Sequence, residues 1–144
     1  MFSKTYEYAF RATTLIAAAS AAGERLSLDA IAERTDSPKA FTAKVLQQLA
    51  KAGILASNKG PKGGFDLPPY AAKKLKLSHI VKALDDDTVY RGCGMGLKEC
   101  NALKPCPLHD HFERIREDLR TMLENTTIHS LIVGLEDGAT FLKR

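Results

Sequence analysis

The three cysteines of this chain, Cys93, Cys100 and Cys106, fall in a single stretch, CGMGLKECNALKPCPLH, that closes on His109. Six residues separate the first two thiols, five the next two, and two lie between Cys106 and His109. Thiolates are soft ligands, and three of them with one imidazole can hold an iron–sulfur cluster, the histidine replacing a cysteine at one iron. The same Cys₃His set is a legitimate tetrahedral zinc site, although structural zinc ligands usually come in close CxxC pairs and these gaps are wide. A third chemistry is a thiol switch, with Cys93 and Cys100 closing a disulfide on oxidation. Gly92, Gly94, Gly96 and Pro105 let the loop fold back on itself around any of these. Spacing alone leaves the three open.

An odd number of cysteines argues against a closed disulfide framework and for metal ligands or redox groups in a reducing compartment. The 144 residues are 44% hydrophobic and 26% charged, an ordinary globular composition for one domain with an added helix. No run approaches the roughly 20 apolar residues that span a bilayer, and MFSKTYEYAFR lacks the apolar core of a secretory signal. The expectation is a soluble, cytoplasmic protein with no membrane partner.

The net charge of +4 is unevenly spread: residues 1–76 carry 12 Lys/Arg against 6 Asp/Glu, and residues 77–144 carry 9 against 11. A basic first half joined to a mildly acidic second half directs any polyanion to the first. The expected division is therefore a DNA-binding unit over 1–76 and, over 77–144, a cysteine loop at about 91–109, a long helix at about 108–124 and a tail.

Alanine-rich residues 5–22 place Tyr6, Phe10, Thr14 and Leu15 at helical spacing and stop at Gly23. Ser27 caps a short helix that runs through Arg34, with Leu28, Ile31 and Ala32 inward. TDSPKAF breaks it, and Ser37 as N-cap with Pro38 at the first helical position opens a second helix reaching about Ala52. Strands at Ile54–Ser57 and Gly64–Leu67 then flank the basic tip NKGPKGG, which reads as a β-hairpin wing. The tip lacks the GxxxxGK[ST] pattern of a nucleotide loop. The fold class that follows is mainly α with a small β-hairpin: a winged helix-turn-helix plus a long C-terminal helix. In that geometry the second helix enters the major groove by its N-terminal end. Ser37, Lys39, Ala40, Thr42 and Lys44 are then the base- and phosphate-facing residues, and Asn58, Lys59, Lys62 and Gly63 the wing contacts to double-stranded DNA.

SPKAFTAKVLQQLAKAGILASNKGPKGGFDL, together with YEYAFRA and the cysteine triplet, resembles the winged-helix regulators typified by IscR and NsrR over roughly the first 125 residues. That resemblance implies a homodimeric transcription regulator, here a repressor, whose affinity for a near-palindromic operator depends on a bound iron–sulfur cluster. It implies Cys93, Cys100 and Cys106 as ligands. His109 stands where IscR-like members place their histidine, which favours a [2Fe–2S] cluster. Glu7 is the alternative fourth ligand, falling where NsrR-like members carry an acidic residue donated across the dimer to a [4Fe–4S] cluster. Nitric oxide, redox state and iron–sulfur supply are the signals such a site would sense.

LKLSHIVKALDDD reads as a short amphipathic helix, with His79 a surface or packing residue. The long helix carries Phe112, Ile115, Leu119, Met122 and Leu123 as one apolar stripe, and a winged helix of this size has little use for it alone. Pairing with a twin helix is the reading. His111 and His129 are expected at the surface, and residues beyond about 130, with Gly134 and Gly138, as a loose tail. An enzyme built on His109, Asp110 and His111 is disfavoured, because no second carboxylate or nucleophile stands in a recognisable arrangement and the basic wing would have no use.

Overall fold

Ser3 turns the chain into its first helix: its Oγ accepts the Tyr6 N–H at 3.5 Å, capping α1, Lys4–Ala21. The computed structural model describes residues 2–143. The inner stripe of α1 is mostly alanine, with Ala9, Ala12 and Ala17 at most 1% exposed beside Ile16 and Tyr6. Such small side chains let several helices approach the axis closely, and α1 accordingly packs against α2, α3, α4, α5, α8 and the second strand of the wing as the central post. Those partners are α2, Leu28–Arg34; α3, Lys39–Lys51; α4, Pro69–Ala72; α5, Leu77–Ala83; and α8, Ile128–Glu136. Between α5 and α8 lie α6, Thr88–Arg91, and α7, His109–Asn125.

The helix-turn-helix forms as its caps predict at one end and not at the other. Ser27 Oγ accepts the Ala30 N–H at 3.2 Å and starts α2. Ser37, expected to cap α3, instead turns its hydroxyl to Thr35, at 3.0 Å from Thr35 Oγ1 and 3.3 Å from the Thr35 carbonyl. Pro38 occupies the cap position without a side-chain bond, and α3 begins one residue later than the sequence suggests. Val45, Leu46 and Leu49 bury the inner face of α3 at 0–1% exposure.

The wing strands are β1, Ala56–Asn58, and β2, Gly64–Asp66, antiparallel with Ser57 opposite Phe65. β1 starts later than expected and β2 ends earlier, because Leu55 and Leu67 are taken into the core and lie outside the ladder. Phe65 also exchanges backbone bonds with Leu26, its N–H reaching the Leu26 carbonyl at 2.8 Å, so the wing is stitched to the start of α2.

The second half is more ordered than a loop, a helix and a tail. Ile128–Glu136 form α8, capped by Thr127, whose Oγ1 accepts the Ser130 N–H at 3.2 Å. Ile128 and Ile132 are buried against α1 and α4. Paired bonds, Leu77 N–H to the Thr126 carbonyl at 3.0 Å and Ile128 N–H to the Leu75 carbonyl at 2.8 Å, tie the start of α5 to the α7–α8 junction. His79 is exposed, and its Nδ1 accepts the Lys76 N–H at 3.1 Å, which makes it part of the cap of α5. Among the described residues no helix is long and apolar enough to cross a membrane.

Candidate DNA-binding surface and cysteine site

The N-terminal end of α3 and the wing tip present the side chains expected to meet DNA, with one correction. Lys39, Ala40 and Lys44 are exposed and Ser37 is half-buried. Thr42, expected among the exposed residues, is 1% exposed and donates its hydroxyl to the Pro38 carbonyl at 2.8 Å. It braces the first turn of α3 from inside and has no edge left for a base. Lys39 Nζ lies 2.6 Å from the Asp29 carboxylate on α2, a pair exposed on both sides and so easily exchanged for another anion. Asn58, Lys59 and Lys62 are exposed on the wing. Gly63 is required there by crowding, since a Cβ would lie 2.3 Å from the Asn58 carbonyl oxygen. Arg25 and Asp66, bonded at 2.7 Å, brace the wing from its base.

The cysteine loop folds back as its glycines allow, and it brings four donors together in two pairs. Cys93 Sγ lies 3.8 Å from Cys106 Sγ, and Cys100 Sγ lies 3.4 Å from His109 Nδ1. All three cysteines are free and half-buried. His109 is buried at the first turn of α7, its N–H bonded to the Cys106 carbonyl at 3.0 Å. The thiol-switch alternative paired Cys93 with Cys100; the thiol beside Cys93 is that of Cys106. The Cys93 thiol is held below its ordinary pKa, first by backbone hydrogen bonding from Met95 and then from Leu97, with Cys106 adding to it. Backbone dipoles aimed at a sulfur favour the thiolate, the form that binds metals and attacks disulfides. Among the described residues no three of His, Cys, Asp and Glu converge as the shell of one ion would.

Glu7 pairs within its own helix, at 2.8 Å from Lys4 Nζ, and that ammonium holds its carboxyl below the usual range. Inside the protomer its contact is Lys4.

Two groups that sequence reasoning passed over hold the loop in place. Arg116 on α7 donates from Nη1 to the Gly92 carbonyl at 2.8 Å and to the Arg91 carbonyl at 3.3 Å. Arg120 stands 5.0 Å from the Tyr90 ring centroid, a cation–π contact between α7 and α6. Their signal was faint: arginines at positions 116 and 120 read as flanking charge on an amphipathic helix. A third link runs to α1, where buried Tyr6 donates its hydroxyl to the Asp86 carbonyl just ahead of α6. Burial is the first cause that raises the Tyr6 pKa far above its usual value, so the phenol stays a donor.

The apolar stripe of α7 divides in two. Leu123 is 0% exposed and belongs to the core of the protomer, which corrects its assignment to a twin-helix face. Leu119 packs partly against that core, and Phe112 lies against Gly94 of the loop. Ile115 and Met122 are left open, at 46% and 43% exposure. His111 is exposed as expected, whereas His129 is half-buried.

Comparison with known proteins bears on both regions. Residues 2–134 match the family model Rrf2, an iron-dependent transcriptional regulator. A protein of Aquifex aeolicus named as an HTH-type transcriptional regulator is 33% identical over 137 residues, covering 92% of this chain and 91% of its own length. The HTH-type transcriptional regulator IscR of Erwinia tasmaniensis is 27% identical over 106 residues, 74% of this chain and 63% of that protein. Among solved structures, CymR, the global cysteine regulator of B. subtilis, matches with a TM-score of 0.71 at 19% identity, covering 91% of this chain and 95% of its own. IscR of T. potens matches with a TM-score of 0.71 at 18% identity, covering 97% and 91%. At those identities the two structures establish the fold, a mainly helical chain with a two-stranded wing.

Proposed function

This chain belongs to the Rrf2 family of iron-dependent transcriptional regulators, and from that premise we propose that its DNA binding is governed by a [2Fe–2S] cluster held by Cys93, Cys100, Cys106 and His109. Regulators of this family bind DNA and act as dimers, and they are not enzymes. The observation that carries the finer reading is the division of the four donors into two pairs. Two thiolates at about 2.3 Å from one tetrahedral metal stand about 3.8 Å apart, and a thiolate and an imidazole about 3.5 Å apart. The measured separations are 3.8 Å for Cys93 and Cys106 and 3.4 Å for Cys100 and His109. Two irons with two protein ligands each need that arrangement, whereas a single zinc needs all four donors around one point. Within each pair the donors therefore suit the cluster in kind and in spacing.

A bound cluster supplies a redox-active cross-link that its signal molecule, such as nitric oxide or an oxidant, can dismantle. The chain's own residues do the rest. Cys93 and Cys100 fix the loop, Cys106 and His109 fix the first turn of α7, and Arg116 and Arg120 fasten α7 to α6. Tyr6 connects the segment before α6 to α1, the helix on which α3 packs. Phe112, Ile115, Leu119 and Met122 are the residues through which α7 meets its twin, Ile115 and Met122 being the most open. Lys39, Ala40, Lys44, Asn58, Lys59, Lys62 and Gly63 form the surface offered to each half of a near-palindromic operator, with Ser37 at its edge. A ligand shifts such an equilibrium only by its differential affinity for two arrangements. Repression is the expected outcome, because a dimer seated on promoter DNA blocks access to it.

A second reading has one observation of its own: Cys93 and Cys106 stand close enough to join as a disulfide after small side-chain rotations, with a Cys93 thiol already inclined to ionise. In that reading the loop is a thiol switch without iron. The test is an operator selected from random duplexes with anaerobically purified protein, then titrated with loaded and chelator-stripped samples. The cluster reading predicts affinities that differ by about 10-fold or more. Equal affinities in the two samples would remove the cluster from control of DNA binding.

A further inference from the structure

Both chain neighbours of Cys93, a residue outside the helices, are held by α7. On its N-terminal side, the Gly92 carbonyl accepts from Arg116 Nη1 at 2.8 Å, and the same nitrogen reaches the Arg91 carbonyl at 3.3 Å. On its C-terminal side, Gly94 lies so close to Phe112 that a Cβ there would come within 2.5 Å of the ring. Phe112 and Arg116 are neighbours one turn apart on α7, and the guanidinium stands 6.0 Å from the Phe112 ring centroid. One turn before Phe112, the same face carries His109.

We infer that Arg116 is a positioning residue for the cysteine site, setting Cys93 at the height along α7 that brings its sulfur beside Cys106. The carbonyls that end a four-residue helix lie beyond its own N–H donors, and one guanidinium nitrogen of Arg116 reaches both. The guanidinium takes no part in thiol chemistry, so this clamp is constant while the thiols change state. α7 thus holds one donor of each pair: His109 directly, and Cys93 through Arg116 and Phe112. Arg114, two residues away, faces outward instead, bonded to the Asp110 carbonyl at 3.3 Å and to His111.

The thiol geometry in this inference stands without metal; its consequence for iron rests on the cluster reading above. The experiment therefore begins with metal-free, fully reduced full-length protein treated with diamide, a diazene. Diamide takes one proton and one electron from each of two thiols, becoming the hydrazine as the S–S bond forms. Mass spectrometry of peptides then gives the rate of each disulfide in wild type, Arg116→Gln, Arg116→Lys and Arg114→Gln. The wild type should join Cys93 to Cys106 in preference to the other two pairs. Arg116→Gln should lose that preference, Arg116→Lys should retain part of it, and Arg114→Gln should match wild type, with all four melting alike by circular dichroism. If Arg116→Gln keeps the wild-type preference, the inference fails; if it melts early, Arg116→Lys decides by the same criterion. Loaded samples give the second readout: chelator-driven iron loss about 10-fold faster in Arg116→Gln, the usual effect of removing an outer-shell support. A wild type that binds no iron overturns the cluster reading and leaves the disulfide result to judge Arg116.

Discussion

The helix-turn-helix with its wing and the cysteine loop are built on different plans. The helices α2 and α3 and the hairpin itself form by short-range rules, with Phe65 and Asp66 then tying the wing back to Leu26 and Arg25. Ser27 caps α2 across three residues, the apolar stripe of α3 buries Val45, Leu46 and Leu49, and the strands pair through a short turn. The cysteine loop has almost no regular structure between α6 and α7, and its form comes from partners distant in sequence. Cys93 meets Cys106 across 13 residues, and Arg116 reaches back 24 to Gly92. A region fixed by local rules keeps its shape when one contact is lost. One fixed by a few long-range clamps can hold two arrangements, which is what a sensor requires.

The sharpest way to break this contrast is at the thiols. Cys93→Ala, Cys100→Ala or Cys106→Ala should each abolish iron binding while leaving the helix content, the dimer and wing-mediated DNA contact intact. Iron analysis beside analytical ultracentrifugation checks this, and a variant that keeps its full iron content shows that its cysteine is not a ligand.

Adjacent residues on α7 sharpen it next. Leu123→Ala removes a fully buried side chain and should cost about 2–5 kcal/mol of stability. Met122→Ala, on the open face, should leave the melting temperature nearly unchanged and weaken the dimer instead. Denaturation and ultracentrifugation on both variants separate the two roles, and similar effects would mean that α7 is not divided in this way.

Smaller effects are expected at the wing. Lys59→Ala and Lys62→Ala should each lower the slope of log affinity against log salt by about 1 while leaving sequence preference unchanged. An unaltered slope removes that lysine from the phosphate contacts. Smallest is the ionisation of Cys93, whose pKa lies below the ordinary thiol value. Alkylation by iodoacetamide, followed peptide by peptide, should show Cys93 reaching half its maximal rate at a lower pH than a free thiol. The rate falls as pH drops through that midpoint and the thiolate is protonated.

The same contrast explains what could be read in the sequence. The helix-turn-helix, the basic wing and the clustering of donors were legible because capping, periodicity and composition are local signals. Thr42 misled because its position on α3 suggested an outward face, while its hydroxyl found the Pro38 carbonyl one turn back. Helix α8 was hidden by Gly134 and Gly138, although Thr127 followed by Ile128, Leu131 and Ile132 carries the cap and spacing of a buried helix. The pairing of Cys93 with Cys106 and the clamp by Arg116 had no local signal, since both depend on how α7 lies against the end of α6.

The most direct test of the central claim is an iron and sulfide count on freshly purified anaerobic protein, with an absorption spectrum of the same sample. Paired donors predict a coloured protein with about two irons and two sulfides per chain. A colourless protein that holds zinc alone, or stays free of iron and sulfide after reconstitution, would contradict it.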